Sequence, residues 1–384
     1  MLYISARNQC STYIAGAVHL YYIPLLVVLG CLGNGLTLFV LLRSKLRRQS
    51  TCQYLSALAV SDTLFLLLQI PPWLGLVRIS SLFDSDGFCQ AFVYLSYVSC
   101  CASAWLVTGF TIERWVAVRF PLRRTSMCTV ARARLMVAAA TLLALLANAP
   151  VLRFAAVVDG DCNIDVAYMA HANYFNVSDT IVALSAPMLI ITVLNVVITR
   201  TVRRVQRERD AFFKQPRRTP PAIPAPPPHR LYAQAKITRM LVTVSTVFVI
   251  LNVPAYIMRL LAYTIEMKDK WGILRAVQQV ALLLFSTNFG INFLLYCLSG
   301  TNFRRALLAT LPCRRARRRP PPLASPRART SHSISSECRT DTHTHTHTHT
   351  HTHTHTHTHT HTHTHAHALT VAEQSPRFSS FYYF

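Results

Sequence analysis

Acidic residues are scarce in this chain. Asp and Glu together number 15 in 384 residues against 39 Lys and Arg, and charged types make up only 14% of the sequence. Soluble domains carry about a quarter, so the composition argues against an ordinary cytosolic enzyme. The chain is also 52% hydrophobic, which excludes a disordered protein, because disorder goes with low hydrophobicity. Eleven Cys over this length is too sparse for a small secreted disulfide scaffold. A convincing cleavable signal peptide is lacking: the first 18 residues carry Arg7 as their one charge, and no clear cleavage site follows the first apolar run.

Long stretches without charge are what the chain has. They cover 19–42, 49–77 (broken only by Asp62), 87–112, 135–152, 180–199, 240–258 and 276–303. A membrane-crossing helix needs about 20 mostly apolar residues, so these intervals predict seven crossings. Most lack the polar face at 3.6-residue spacing that a buried soluble helix shows. Pro71, Pro72, Pro187 and Pro254 lie inside intervals; membrane helices tolerate Pro where neighbours satisfy the freed backbone groups. The fold class is therefore an all-α membrane protein.

The net charge of +24 follows from the loops. Arg and Lys crowd the loops after segments one, three and five and the region after Phe303, while Asp84, Asp86, Asp159, Asp161 and Asp165 lie on the opposite side. By the positive-inside rule the N-terminus is outside and the C-terminus cytoplasmic. The basic balance thus reads as topology and not as nucleic-acid binding. The expected organisation is an extracellular 1–18, a bundle over 19–311, and a cytoplasmic tail over 312–384 without packed structure. Residues 215–230 are Pro-rich and basic, an extended linker or, alternatively, a proline-motif docking site. Residues 342–365 alternate Thr and His, a pattern that a dinucleotide repeat in the DNA also produces.

Ionisable groups at membrane depth are costly and are functional candidates. Here they are Asp62 in segment two, Glu113 and Arg114 at the inner end of segment three, and Asp179 near the outer end of segment five. Amides occur about one per segment: Asn34, Asn148, Asn195, Asn252, and Asn288 with Asn292. Buried amides need partners, so these are expected to cluster. Cys89 and Cys162 stand at outer helix ends on the oxidising side, which favours a disulfide over two free thiols.

With these residues in place the chain resembles the rhodopsin-like (class A) G-protein-coupled receptors. The resemblance is carried by Gly33-Asn34, Leu58-Ala59-Val60-Ser61-Asp62, Cys89, Glu113-Arg114-Trp115 with Pro121, Pro150, Pro187, Phe248 with Pro254, and Asn288 with Asn292-Phe293-Leu294-Leu295-Tyr296. Phe303-Arg304-Arg305 resembles the start of the family's short amphipathic eighth helix. The Cys89–Arg114 separation of 25 residues and the seven residues from Tyr296 to Phe303 match the family. Departures are Glu113-Arg114-Trp115 for Asp-Arg-Tyr, Phe293 for the segment-seven Pro, Asn252 for a segment-six Trp, and Ala140 for the segment-four Trp. LNVPAYIMR and NFGINFLLYCLSGTNFRR resemble invertebrate neuropeptide receptors of the FMRFamide and myosuppressin type.

The resemblance implies a seven-helix bundle with a short eighth helix, in the plasma membrane and without catalytic chemistry. Glu113, Arg114, Trp115, Phe248, Pro254, Asn292 and Tyr296 match the positions that switch the receptor and meet a heterotrimeric G protein. Asp62, Ser103, Asn288 and Asn292 match a family site for an allosteric sodium ion; no other cofactor is implied. The position of the amine receptors' Asp is Ser96, and that of the opsins' Lys is Ser286, so amines and retinal are disfavoured and a short extracellular peptide is the expected ligand. Residues expected to face it are Tyr94, Ser96, Tyr97, Asp179, Tyr256, Arg259 and Arg275. Arg259 and Arg275 are candidates for a ligand carboxylate, and Asp179 for a basic ligand. Cys313, beside an Arg run, is a palmitoylation candidate. Arrestin and a receptor kinase are further partners of such a protein. The alternatives are a receptor-like decoy that does not couple, and a transporter, which would require an internal repeat that the two halves do not show.

Overall fold

An apolar run in lipid must satisfy each backbone N–H and C=O within itself, so each charge-free interval has reason to become helix. The computed structural model describes residues 2–77, 79, 82–214, 228–264 and 272–310, with side chains from Val18 onward except at 76, 209–236, 262–273 and 275. The tail with its 342–365 repeat and Cys313 lie outside the described residues.

The helices are α1 (Leu2–Arg43), α2 (Ser50–Leu68), α3 (Ile70–Leu76), α4 (Phe88–Arg119), α5 (Arg124–Met127), α6 (Val130–Asn148) and α7 (Val151–Phe154). A hairpin of β1 (Ala155–Val158) and β2 (Asp161–Ile164) follows, then α8 (Met169–Asp179), α9 (Ala186–Lys214), α10 (Pro228–Thr264), α11 (Gly272–Gly290), α12 (Asn292–Ser299) and α13 (Thr301–Thr310). A π-helical turn, Thr180–Ser185, joins α8 to α9 just before Pro187. Among the described residues six helical stretches are long and apolar enough to cross a membrane, and α11 with α12, bent by 60°, make a seventh. The chain is a seven-transmembrane helix bundle.

Helices outrun the charge-free intervals because charged side chains stop a membrane crossing, not a helix. The first begins at Leu2 rather than at 19, with no Pro before Pro24 to end it. Residues 228–230, placed in the linker by the sequence, already belong to α10; Pro suits a helix's first residue, where its missing N–H is not needed. The interval 276–303 divides into α11, α12 and α13, the last pair separated at Gly300. In α13 Phe303 is buried while Arg304 and Arg305 are exposed, the amphipathic eighth helix.

The bundle is apolar outside as well as inside. Leu25, Val28, Leu29 and Leu32 of α1, Leu135 and Leu143 of α6, Leu189 of α9 and Ile250 of α10 are all exposed. Such a belt suits acyl chains and not water. Inside, α1 and α11 approach closely at two glycines: a Cβ on Gly30 would lie 3.0 Å from the Gly290 Cα. Small residues permit this backbone contact between membrane helices. Phe65 stacks on Phe289 beside it, ring centroids 3.8 Å apart.

Candidate functional site

At one end of the bundle the β1–β2 hairpin is held by covalent and polar ties. Its turn is Asp159-Gly160, both at positive φ (53° and 82°), as a two-residue hairpin turn requires. Cys162 of β2 is disulfide-bonded to Cys89 at the start of α4, Cα atoms 5.5 Å apart. The Cys162 N–H donates to Asp84 Oδ1 at 3.0 Å. Val93, Val151 and Ala155 complete a small apolar core around the bridge.

Val93 is also a wall of a cavity of about 80 Å³. Phe65, Leu68, Pro72, Phe83, Phe92, Leu282, Leu283 and Phe285 make it apolar, and His19, Gln69, Ser96 and Ser286 supply polar groups. A mostly apolar hollow with a few polar groups is the usual form of a ligand pocket. Phe285 separates it from a smaller void of about 10 Å³ that Tyr97, Cys100, Cys101, Asp179, Tyr256 and Arg259 surround. There Arg259 Nη2 lies 3.1 Å from Asp179 Oδ2, both side chains buried. Arg259 also donates to Asn176 Oδ1 at 3.2 Å, and the Tyr97 hydroxyl donates to the same oxygen at 2.6 Å. The Arg259 guanidinium lies 5.6 Å from the Tyr97 ring centroid. Helices α4, α8 and α10 are thereby joined.

Midway along the bundle, Asp62 is fully buried. Its Oδ1 accepts from the Ser103 hydroxyl at 3.0 Å and its Oδ2 from the Asn292 amide at 2.6 Å. Among the described residues it has no ion pair. Asn288 is also buried.

At the end away from the hairpin, Arg114 pairs with its neighbour Glu113, both buried. Glu113 Oε1 also accepts from Ser50 and Thr51, each at 2.8 Å. The Arg114 Nε has no hydrogen-bond partner among the described residues. Trp115 meets Phe120 edge-on at 5.9 Å. Tyr296 is buried against Phe303, ring centroids 5.5 Å apart, and Phe248 is buried with its carbonyl accepting from Asn252 at 2.7 Å.

Residues 33–296 match the family model described as 7 transmembrane receptor (rhodopsin family). The chain belongs to that family. Among its relatives is the somatostatin receptor type 4 of Rattus norvegicus, 29% identical over 313 residues, covering 80% of this receptor and 76% of the relative. The neuromedin-U receptor 1 of Mus musculus is 31% identical, covering 75% and 71%. The FMRFamide receptor of Drosophila melanogaster is 26% identical, covering 83% and 57%. The resemblance to class A receptors of neuropeptide type is thus shared by known sequences.

The receptor brings most expected residues into three groups, with two corrections. Tyr94 does not face the mouth: its hydroxyl donates to the Leu145 carbonyl of α6 at 3.0 Å, because it stands on the face of α4 that packs on that helix. Arg259 and Asp179 are not separate ligand charges, since each neutralises the other. Ser96 lines the larger cavity, and Tyr97, Asp179 and Tyr256 the smaller void. The side chain of Arg275 lies outside the described residues.

The amides do not form the expected single cluster. Asn34 donates to the Phe289 carbonyl, Asn148 to Ala144, Asn195 pairs with Thr246 and Ser245, and Asn252 stays within α10. A backbone carbonyl or a hydroxyl on a neighbouring helix takes up the amide N–H, while Asn34 Oδ1 and Asn148 Oδ1 are buried with no hydrogen-bond partner among the described residues. Ser50, Thr51, Asn176 and His19 were missed. His19 carried a signal, because it is an ionisable residue inside an apolar run. Ser50 and Thr51 carried none, because only the packing of α2 on α4 places them on Glu113. Asn176 is the first residue of a sequon, yet it is buried in the Arg259 network.

Proposed function

We propose that this receptor lies in the plasma membrane, binds a short extracellular peptide at the hairpin end, and activates a heterotrimeric G protein at the Arg114 end. The observation that carries this reading is the cavity beside the disulfide-tied hairpin, apolar with neutral polar groups, at the opposite end from a buried arginine with a free donor. Somatostatin, neuromedin-U and FMRFamide, in the relatives' names, support a peptide ligand. Acids at the hairpin end (Asp84, Asp159, Asp161, Asp165) and arginines at the other (Arg47, Arg48, Arg123, Arg134) support an outside N-terminus. Residues 1–18 are then extracellular and 312–384 a cytoplasmic tail, open to arrestin, a receptor kinase and acylation at Cys313.

Ligand binding outside shifts a two-state equilibrium, and the favoured state opens a cleft for the G protein. Arg114 is held at rest by Glu113. Pro254 weakens α10 by removing one helix hydrogen bond, so α10 can bend above Phe248, while Asn292 and Tyr296 re-pack. A buried carboxylate without an ion pair among the described residues, beside the Ser103 hydroxyl and an Asn292 amide that turns its oxygen inward when the ion enters, fits a monovalent hard cation. Asp62, Ser103, Asn288 and Asn292 would hold sodium, which would supply the charge that Asp62 lacks.

The test is a G-protein activation assay on surface-expressed receptor with a library of amidated and free-acid peptides. A peptide response, weakened by Ser286→Leu, which fills the cavity, is expected. A response to small amines or lipids and to no peptide overturns the peptide reading. An N-terminal epitope reached only after permeabilisation overturns the orientation.

A further inference from the structure

Pro254 divides α10 into two arms. Its missing N–H leaves a carbonyl of the preceding turn without a helix partner, so the helix can pivot there. Ser245 and Phe248 belong to the arm that runs to the Arg114 end, and Tyr256 and Arg259 to the arm at the hairpin end. The two arms are held differently. Neutral groups hold the first: Ser245 donates to Asn195 Oδ1 at 2.9 Å and Asn195 donates to Thr246 Oγ1 at 3.3 Å. Charge holds the second, through Arg259 Nη2 at 3.1 Å from Asp179 Oδ2, with side chains only 3% and 7% exposed.

The partner side of this contact is braced. Asp179 ends α8 where the π-helical turn begins. Thr180 donates to the Asn176 carbonyl at 2.7 Å and Ser185 to the Thr180 carbonyl at 2.8 Å, so hydroxyls tie the turn together. Asn176 Oδ1 accepts from both Arg259 and the Tyr97 hydroxyl, and Tyr97 stands on α4, which the Cys89 disulfide anchors. Among the described residues no other Asp, Glu, Lys or Arg lines the void. Opening the pair therefore strands the Asp179 carboxylate in apolar surroundings, a costly state, so the contact is either closed or fully replaced. On the cavity side Phe285 is the partition, and its ring meets Tyr256 edge-on at 6.1 Å. Tyr256 stands three residues before Arg259, on the same face of α10. A group that displaces Phe285 thus pushes on the arm that the pair holds.

We propose that the Asp179–Arg259 pair is a latch on the hairpin-end arm of α10. Closed, it keeps α10 from pivoting at Pro254 and holds the receptor at rest; a ligand that moves Phe285 opens it. The latch rests on the receptor reading above, although its mechanical part does not need the G protein. It separates two properties that a merely structural ion pair keeps together. Replacing both charges with apolar groups restores stability and still leaves the receptor unlatched.

The experiment uses full-length receptor in nanodiscs without ligand. Asp179→Leu/Arg259→Met removes the charges together. Asp179→Asn/Arg259→Gln, which removes charge but keeps hydrogen-bonding groups, serves should the apolar variant not fold. Spin labels on an unnatural amino acid at Arg203 of α9 and Arg239 of α10, both exposed, report the separation of these helices at the Arg114 end. Nucleotide exchange on a purified heterotrimeric G protein reports basal activity, and the thermal midpoint reports stability. With a midpoint near that of the wild type, the charge-free variant is expected to shift the labels to longer distances and to raise basal exchange about fivefold or more, the lower end of ordinary coupling between sites. Label distances as in the wild type overturn the latch, and so does basal exchange at the wild-type level while the wild type responds to a peptide. Longer distances with no exchange, from the variant or from the wild type with any peptide, keep the latch and overturn the coupling reading instead.

Discussion

Arg259 of α10 and Asp179 at the end of α8 form a buried ion pair, 3.1 Å between Nη2 and Oδ2, beside the void that Phe285 walls off from the larger cavity. The pair joins the segment before the π-helical turn to the helix that carries Pro254. The two buried charges beside that void are thus spent on each other.

Removing one partner of a buried pair strands the other. Arg259→Met is expected to destabilise the receptor by about 3 kcal/mol, while Asp179→Leu/Arg259→Met recovers most of the loss. Thermal unfolding of detergent-solubilised protein measures both. A double variant as unstable as the single one would show that the pair contributes nothing as a pair.

Glu113 and Arg114 belong to a wider network that includes Ser50 and Thr51. Glu113→Gln is expected to raise ligand-independent signalling, and Ser50→Ala/Thr51→Val to raise it as well, since each hydroxyl bond to a carboxylate is worth about 1.5–3 kcal/mol. Arg114→Ala is expected to abolish stimulated signalling while ligand binding persists. Basal and stimulated G-protein activation at matched surface expression decides; unchanged basal activity in both restraint variants removes the proposed lock.

Replacing Cys89 or Cys162 with Ser is expected to cost about 2–5 kcal/mol and most surface expression. The double replacement should be no worse than either single one, because one bond is lost in each case. Flow cytometry with an extracellular epitope gives the answer, and normal expression of the single variants would contradict it.

Gly30 is where α1 touches α11. Gly30→Leu would drive side-chain atoms into Leu66 and the Gly290 backbone and is expected to cost about 1–3 kcal/mol by overpacking. Gly35, whose Cβ would meet nothing within 4 Å, is the matched control. A Gly35→Leu variant equally unstable would refute the close-approach account.

If sodium occupies the Asp62 site, sodium chloride should raise the thermal midpoint above that in choline chloride at equal ionic strength. Asp62→Asn should erase the difference. A sodium effect that survives Asp62→Asn places the ion elsewhere.

Much of the fold was legible because lipid simplifies the problem. A run without charge, long enough to cross, must be helical, and Phe303-Arg304-Arg305 marked the eighth helix. Gly33-Asn34, Asp62, Glu113-Arg114 and Asn292 through Tyr296 carried the family by their spacing. The 60° bend between α11 and α12 occurs with Phe293 where the family has Pro. Phe293 packs instead on Gly33, where a Cβ would lie 3.0 Å from its own. Asp159-Gly160 is the mark of the hairpin turn in the sequence.

The sequence alone determined the number of crossings, the family and the residues that carry charge at depth. Tertiary structure alone decided what those residues meet: Asp179 with Arg259, Glu113 with Ser50 and Thr51, Tyr94 with α6, and Arg134 with Gln53. The reason is physical. A helix in lipid is apolar on its outer face as well as its inner one, so no 3.6-residue pattern tells which way a side chain points. These partners stand up to 81 positions apart along the chain, and only packing the helices brings them within a hydrogen bond.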